Sequence, residues 1–188
     1  MESMKLRVYD RIPGITSLGP GRRYGLWVQG CLQSCPGCTT PKSRLLDGGE
    51  LIDTSALAWE IVLSKVEGIT ISGGEPFLQA QVLADLLRKV RDLEDLGVIV
   101  YTGFLYEDIL KQEEYREFLD RIDLLIDGPY IESLDDGGSD RGSSNQRAIL
   151  LTDRYRNFTK SFGQRKRETQ IFRHGFYSIE VGIPSHRT

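Results

Sequence analysis

Three cysteines within one short segment are the feature that most constrains this chain. Cys31, Cys35 and Cys38 are the only cysteines among its 188 residues, and all three lie in the segment CLQSCPGC. An odd number of such closely spaced thiols cannot form the paired framework of a disulfide-rich secreted protein. The segment therefore predicts a loop that binds a metal ion or an iron–sulfur cluster in a reducing compartment.

Three thiols leave one ligand position open at either kind of site. Tetrahedral zinc requires four protein ligands, or three and a water, and a [4Fe–4S] cluster has four iron corners that thiolates normally hold. Zinc would have to recruit His174 or His186, which lie far away in the sequence without a paired-cysteine motif. Three unrelated buried thiols are a further interpretation. We favour a cluster whose fourth iron is free to bind a small molecule.

The composition is that of a soluble globular protein of one-domain size. Hydrophobic residues make up 39% and charged residues 27% of the chain, and the net charge is −3. This charge provides no basic field for nucleic-acid binding. The N-terminus lacks an apolar signal region, and no apolar run approaches the roughly 20 residues that span a bilayer. We expect a cytoplasmic protein without a membrane or nucleic-acid partner.

Predicted strands and helices alternate through the first two thirds of the chain. Strands are predicted at about 24–29, 69–72, 98–101 and 122–127, and helices from residue 53 or 54, at 82–93 and at about 106–119. Strands joined by crossovers of this length pair in parallel, so we expect an α/β fold with a parallel sheet. The remaining strands are too few to close an eight-stranded barrel, which predicts a partial, open barrel.

The last third is irregular in pattern. Residues 128–146 are rich in Gly, Ser and Asp and predict a long loop, and strands are expected at 149–152 and within 169–184, where a hairpin turning near residues 174 and 175 is one interpretation. We divide the chain into a core domain, 1–152, and a basic C-terminal extension, 153–188, packed on the same domain. The basic residues of this extension could dock an acidic partner surface or nucleic acid, but an ordinary solvated surface is the favoured interpretation.

A second motif follows the second predicted strand. The residues TISGGEP, 70–76, stand at the carboxyl end of that strand, where parallel α/β sheets bind their ligands. Gly73 and Gly74 allow close approach of the backbone, and the Glu75 carboxylate suits an ammonium group. The motif and the cysteine loop are therefore predicted to form two halves of one pocket. Asp127, which ends the fourth strand at the same edge, is interpreted either as a turn cap or as a polar contact of this pocket.

The two motifs together resemble the radical S-adenosylmethionine (radical SAM) superfamily. The similarity is closest to its short activating enzymes, in particular the anaerobic ribonucleoside-triphosphate reductase activating proteins. It covers residues 14–150 and is carried, in the order of that family, by WVQGC, CPGC, TISGGEPFLQA, VYTGF, IDLLIDGPY and RGSSNQR.

The resemblance implies both cofactors and the residues that bind them. Cys31, Cys35 and Cys38 would hold three irons of one [4Fe–4S] cluster, and SAM would bind the fourth iron. The residues that would bind SAM are Gly73, Gly74 and Glu75, with the last two at its methionine end, Gly37, Cys38 and Thr39 on the adenosyl side, and Tyr101 and Thr102 in the pocket wall.

The resemblance also implies the reaction. An electron from a flavodoxin- or ferredoxin-type donor would cleave SAM reductively, and the resulting radical would abstract a hydrogen from a glycine of a glycyl-radical enzyme, an anaerobic ribonucleotide reductase. A radical SAM enzyme that modifies another protein or peptide is the alternative. A non-enzymatic module that binds zinc or a cluster is a third, less favoured function.

Overall fold

The computed structural model describes residues 4–174 and 177–184. Nine strands are present in this part: β1 (Lys5–Ile15), β2 (Arg23–Val28), β3 (Glu50–Asp53), β4 (Gly68–Gly73), β5 (Gly97–Tyr101), β6 (Leu124–Asp127), β7 (Arg147–Leu150), β8 (Thr169–His174) and β9 (Tyr177–Gly182). The α-helices of this part are α1 (Thr54–Leu63), α2 (Ala80–Leu93), α3 (Tyr106–Ile109), α4 (Arg116–Leu119) and α5 (Arg156–Thr159). None of the described helices is long and apolar enough to cross a membrane.

Seven of the strands form one sheet in the order β3-β1-β2-β4-β5-β6-β7. The central strands β2, β4, β5 and β6 are parallel neighbours, which confirms the α/β class. The expected parallel pairing holds for these four strands, and the sheet as a whole is mixed, because β1, β3 and β7 pair antiparallel. The short connection between β1 and β2 permits only antiparallel pairing, whereas parallel neighbours need a long crossover.

The helices differ in how well their sequence predicts them. The N-cap of α1 is Asp53, whose carboxylate accepts hydrogen bonds from the N–H groups of Ser55 and Ala56, and α2 buries the predicted apolar stripe. The helix predicted at 106–119 is instead divided into α3, a 3-10 turn and α4. Residues 110–114 are all exposed, so no burial of apolar side chains stabilises helical turns there.

The two faces of the sheet are covered in different ways. Helices α1 and α2 pack on one face and enclose the main hydrophobic core. The opposite face carries no long helix and is called the helix-free face. On it Ile99, Leu124 and Ile126 pack against Tyr155 and against Phe158 of the one-turn helix α5, both from the segment after β7. Successive side chains of β5 point to opposite faces of the sheet, so Val98 and Val100 belong to the core on the helix side.

The end of the described chain also covers the helix-free face. Strands β8 and β9 pair antiparallel with each other and separately from the main sheet, as one interpretation of the sequence had it, and residues 175–176 between them lie outside the described residues. Val181 of β9 is buried against Ile12, Ile15 and Leu18 at the end of β1 and just after it. The extension thus contributes to the hydrophobic interior.

Most basic residues of the extension are exposed, as the favoured interpretation of a solvated surface has it, whereas the side chain of Arg167 is buried. Arg154 pairs with Asp95, Arg165 with Asp140, and Arg167 with Asp135. These arginines bind carboxylates of this same chain, so their charges are neutralised within the molecule.

Candidate active site

The cysteine loop leaves the carboxyl end of β2 and returns to the same place. At its base the N–H of Gly30 donates to the carbonyl of Ser43 at 2.7 Å, and the N–H of Cys31 donates to the carbonyl of Arg44 at 3.2 Å. Two backbone hydrogen bonds therefore close the loop, and the residues between them project beyond the edge of the sheet.

The GGEP segment after β4 packs directly on this base. The N–H of Gly74 donates to the carbonyl of Val28 at 2.7 Å, and the N–H of Glu75 donates to the carbonyl of Gly30 at 2.8 Å. A Cβ atom on Gly74 would lie 2.2 Å from the carbonyl oxygen of Gly30, and one on Gly73 would lie 2.6 Å from the nitrogen of Val28. The two glycines thus allow two chain segments to touch. The structure brings the two sequence motifs together.

The three thiols are free and half-buried on the loop. The N–H of Gln33 donates to Cys31 Sγ at 3.4 Å, and the Cys35 thiol donates to Gln33 Oε1 at 3.5 Å. Burial raises the pKa of the Cys31 thiol, the hydrogen bond from Gln33 opposes this, and the nearby Glu75 carboxylate adds to it. Binding of iron would have to supply the stabilisation that the Cys31 thiolate lacks here.

The spacing of possible ligands bears on the kind of metal site. Within residues 4–174 and 177–184, no three His, Cys, Asp or Glu side chains are close enough to surround one metal ion. In a [4Fe–4S] cluster each thiolate binds a different iron, so three thiols that do not converge on one point still fit. Two histidines were considered above as zinc ligands. His186 and the side chain of His174 lie outside the described part of the chain.

Glu75 is buried within the site. Its side chain is 2% exposed and accepts hydrogen bonds from the Thr102 hydroxyl at 2.7 Å, the Gly103 N–H at 2.9 Å and the Phe77 N–H at 3.1 Å. Burial raises the pKa of Glu75 to about 7 against the opposing effect of these hydrogen bonds. The carboxylate therefore connects the GGEP segment to the loop after β5, and a contact with the ammonium group of SAM stays a prediction.

The two pocket-wall candidates at the end of β5 lie at different depths. Thr102 is 4% exposed and stands behind Glu75, and its N–H donates to the carbonyl of Ile126 at 2.9 Å. Tyr101 lies on the helix-free face against Trp27, and its buried hydroxyl has no hydrogen-bond partner among the described residues. Burial also raises the pKa of Tyr101 above its usual range. Thr102 belongs to the interior of the site, and Tyr101 to the packing beneath it.

The residues around the third cysteine face the segment after β6. Gly37 adopts a φ of +71°, and a Cβ atom there would lie 2.9 Å from Glu132 Oε1 and 3.2 Å from Tyr130 Cε1. Thr39 is exposed on the outer part of the loop. The loop thus touches three neighbouring strand ends, since the side chain of Gln33 also lies against Gly103, where a Cβ atom would be 2.2 Å from Gln33 Oε1.

Asp127 has a structural role in this arrangement. It is fully buried, forms an ion pair with Arg147 and accepts a hydrogen bond at 2.8 Å from the N–H of Tyr106 at the start of α3. Arg147 also binds Glu107, and this lowers the pKa of Glu107 to about 2. These contacts give Asp127 a structural role, but they join it to α3 and β7 and not to its own turn, as the turn-cap interpretation had it.

The RGSSNQR segment forms hydrogen bonds with the chain that follows β6, a role that the sequence analysis did not predict. Ser143 Oγ accepts a hydrogen bond from the N–H of Ile131 at 3.1 Å, and the Asn145 side-chain amide donates to the carbonyl of Pro129 at 2.8 Å. The Gln146 side-chain amide donates to the carbonyl of Gly128 at 2.9 Å. The segment thus holds residues 128–131 beside the cysteine loop. A single sequence carries no signal for such pairings, because they join residues about a dozen or more positions apart.

Comparison with known proteins first defines the class. The chain matches the family described as "4Fe-4S single cluster domain" over residues 17–149, which include all three cysteines and the GGEP segment. With the α/β fold and the joined motifs, this match defines a radical SAM protein with a single [4Fe–4S] cluster.

The relatives then define the family. The chain is 33% identical over 152 residues to the anaerobic ribonucleoside-triphosphate reductase-activating protein of Enterobacteria phage T4, covering 77% of this chain and 95% of the relative. It is 32% identical over 139 residues to the protein of the same name from Escherichia coli K12, covering 68% and 88%. It is also 31% identical over 142 residues to the pyruvate formate-lyase-activating enzyme of Clostridium pasteurianum, covering 70% and 56%. The chain belongs to the family of anaerobic ribonucleoside-triphosphate reductase-activating proteins.

This membership confirms the resemblance drawn from the sequence. The protein is an activating enzyme of the radical SAM type, and its cofactors are a [4Fe–4S] cluster and SAM. The donor set on the cysteine loop agrees in its chemistry, since thiols are the usual ligands of such clusters.

Proposed function

We propose that this protein generates the glycyl radical of a partner anaerobic ribonucleotide reductase. The observation that carries the proposal is the direct hydrogen bonding of the GGEP segment to the base of a three-cysteine loop, at the carboxyl edge of the parallel strands. The relatives support the choice of partner, because they are activating proteins of an anaerobic ribonucleoside-triphosphate reductase.

Cys31, Cys35 and Cys38 are the proposed ligands of the cluster. When bound, the cluster and SAM supply the reductive cleavage that leads to abstraction of a hydrogen from a glycine of the partner. The chain itself holds the three thiols on a loop with a closed base, and backbone and amide groups of Gln33 contact two of the sulfurs. The N–H of Gln33 can remain bonded to a thiolate and influence the reduction potential of a cluster, whereas the Cys35 contact exists only while that thiol carries its proton.

The proposed SAM pocket lies between the two motifs. We assign Gly74 and Glu75 to the methionine end, with Gly73 beside them, and the remaining candidates to the adenosyl side and the wall: Gly37, Cys38, Thr39, Tyr101 and Thr102. Within this set, Glu75 and Thr102 hold the strand ends together from inside, while the exposed positions 37 and 39 are free to meet a ligand.

We further propose that the fold is a partial barrel of the radical SAM type. Its core would span 1–152, and the extension, 153–188, would pack on it as part of the same domain. The edge of the sheet at the cysteine loop remains accessible, which suits a protein substrate. A flavodoxin- or ferredoxin-type protein is the proposed electron donor, and the free thiols suit a reducing cytoplasm.

One observation favours retaining a second candidate for the protein substrate. The match to the cluster-domain family ends at residue 149, before the extension. A different protein or peptide as substrate would explain why this chain carries additional structure.

Anaerobic reconstitution with iron and sulfide, followed by dithionite and SAM, tests the chemistry. We expect formation of 5′-deoxyadenosine by the native protein and by Ser34→Ala, which alters an exposed position of the same loop, but not by Cys35→Ala. A cluster-loaded protein that binds SAM without cleaving it would contradict the proposed reaction.

The target is tested separately with purified anaerobic ribonucleotide reductase. Electron paramagnetic resonance should detect a glycyl radical after incubation with the loaded enzyme, SAM and reductant. Cleavage of SAM without this signal would favour another protein or peptide as the substrate.

A further inference from the structure

We propose that Arg167, in the extension beyond the family match, is a positioning residue for the cysteine loop. The inference rests on the proposed function of that loop as the cluster site. It assigns to the extension a part in the active site, although Arg167 is separated from the third cysteine by most of the chain.

The first step is the binding of Arg167 to the loop between β6 and β7. Its side chain is 3% exposed, and its guanidinium donates to the Asp135 carboxylate at 2.6 and 3.1 Å. The same guanidinium also donates to four backbone carbonyls at 2.9 to 3.0 Å. Three of them lie in this loop and one in the extension: Gly138, Arg141, Gly142 and Pro184. Because all three of its nitrogens bind acceptors, Arg167 fixes the loop to the extension.

The second step leads from this loop to the Tyr130 ring. Arg167 donates to the carbonyl of Gly142 at 2.9 Å, and a Cβ atom on Gly142 would lie 2.9 Å from Tyr130 Cδ2. The Tyr130 hydroxyl is also directed at Asp135, at 3.4 Å. Two of the residues that Arg167 holds, Asp135 and Gly142, are therefore also neighbours of Tyr130.

The third step joins Tyr130 to the cysteine loop. A Cβ atom on Gly37 would lie 3.2 Å from Tyr130 Cε1, so the ring is enclosed between the two glycines, Gly37 and Gly142. Gly37 lies between Cys35 and Cys38 and has a φ of +71°, a conformation that glycine enters and leaves easily. An aromatic ring held on one side of this exposed turn limits the positions that both thiols can adopt.

The other arginines of the extension do not share this connection. Arg165 is 55% exposed in its side chain and binds Asp140, and Arg156 is 65% exposed and binds its neighbour Asp153. Neither of the carboxylates they bind contacts Tyr130 in the hydrogen bonds of the described residues. Arg156 therefore offers a matched control for the loss of one arginine from the extension.

The test uses the full-length, reconstituted protein and four variants. Arg167→Gln removes the contact to the loop, Tyr130→Ala removes the ring, Tyr130→Phe keeps the ring, and Arg156→Gln is the control. The measurements are the half-life of the cluster absorbance in the presence of an iron chelator and the change in the electron paramagnetic resonance signal of the reduced cluster on adding SAM. Thermal unfolding of each variant is measured alongside.

We expect Arg167→Gln and Tyr130→Ala to shorten the half-life of the cluster about 10-fold, the lower end of the effect of losing an outer-shell partner. Tyr130→Phe and Arg156→Gln should stay within about twofold of the native protein. The double variant Arg167→Gln/Tyr130→Ala should be no worse than the more affected single variant, because the two residues act in series.

Two outcomes would overturn the proposal. One is a native half-life and a native response to SAM in folded Tyr130→Ala, which does not disturb the Arg167–Asp135 pair and so remains informative if Arg167→Gln fails to fold. The other is an equal loss in Tyr130→Phe and Tyr130→Ala. Failure of the native protein to take up a cluster would instead count against the proposed function.

Discussion

At the scale of single residues, the absence of a side chain at position 74 decides how closely the two motifs approach. A Cβ atom at Gly74 would lie 2.2 Å from the carbonyl oxygen of Gly30 and 3.0 Å from its nitrogen, and both are backbone atoms that cannot rotate away. The hydrogen bond from Glu75 to that carbonyl depends on the same approach. A strand end without this glycine would have to move away from the cysteine loop.

We therefore expect Gly74→Ala to lower the free energy of unfolding by about 2–4 kcal/mol, as overpacking against fixed atoms does. Gly137→Ala is the control for strain without a clash, since Gly137 has a positive φ, +73°, which Gly74 does not have, and a Cβ atom there meets nothing within 4 Å. This control should lose only about 1 kcal/mol, from backbone strain. Equal losses in urea unfolding of the two variants would contradict the steric explanation.

Glu75 predicts a pH dependence of stability in the protein without cofactors. Its pKa is raised from 4.5 in the unfolded chain to about 7 in the folded protein, so between these values the folded state binds the extra proton. Stability contributed by this group is therefore lost as the pH rises from 4.5 to 7, by roughly 3 kcal/mol in total. Urea unfolding between pH 5 and 8 should show this decline in the native protein.

Glu75→Gln provides the comparison, because an amide does not titrate. Its overall stability will differ, since its NH2 group must face either the Gly103 N–H or the Phe77 N–H, which are both donors. Its unfolding free energy should nevertheless change less over this pH range. Parallel curves for the two proteins would show that Glu75 does not titrate in this window.

At the scale of elements, the spacing of apolar residues predicted strands and helices best where one segment buries a regular apolar face. The parallel strands β4 and β5 and helix α2 follow from such patterns, as does the position of both motifs at strand ends. Strand β1 was missed because its residues include charges, Pro13 and Gly14, and its burial depends on antiparallel pairing with β2 and β3 on either side.

The candidate site was predictable in its motifs but not in its connections. Cysteine spacing and the GGEP residues indicated the site. The hydrogen bonds of Glu75 to Thr102 and of the RGSSNQR residues to the chain after β6 depend on tertiary packing, which local spacing does not encode.

Gln79, which precedes α2, connects the elements of the sheet on the helix side. Its side-chain amide accepts from the N–H of Arg7 at 2.8 Å and donates to the carbonyls of Arg7 at 2.9 Å and Gln29 at 3.0 Å. One side chain thus joins β1, the end of β2 and the start of α2. Gln79→Ala should lower the free energy of unfolding by about 2–3 kcal/mol through three lost hydrogen bonds.

Gln81→Ala is the matched control for this prediction, because Gln81 is exposed on α2. It should change stability by less than about 0.5 kcal/mol. If chemical denaturation gave the same midpoint for both variants, water would be replacing the Gln79 contacts at no cost.

At the scale of the whole molecule, the extension acts as one side of the hydrophobic interior. The guanidinium of Arg23 is 1% exposed and binds the Tyr155 hydroxyl at 2.8 Å, the Thr70 hydroxyl and backbone carbonyls. Tyr155 also covers Ile99 and Leu124 on the helix-free face. Without the segment after β7, a buried cation and several large apolar side chains would meet water.

Removal of residues 153–188 should consequently abolish stable folding. Re-exposing each large apolar side chain costs about 1.5–3 kcal/mol, and several are uncovered at once, against a typical total stability of about 5–15 kcal/mol. We expect the shortened chain to bind a hydrophobic dye and to lose its cooperative thermal transition in circular dichroism.

Substitutions of Tyr155 alone separate the contribution of its packing to stability from the effect of removing a long segment. Tyr155→Ala should cost about 3–5 kcal/mol, whereas Tyr155→Phe keeps the ring and should cost about 1 kcal/mol for the hydrogen bond to Arg23. Lys160→Ala, at an exposed position of the same segment, should be neutral. A shortened chain that unfolds cooperatively at the native temperature would mean that the helix-free face is stable in water, and the extension would then be an appendage.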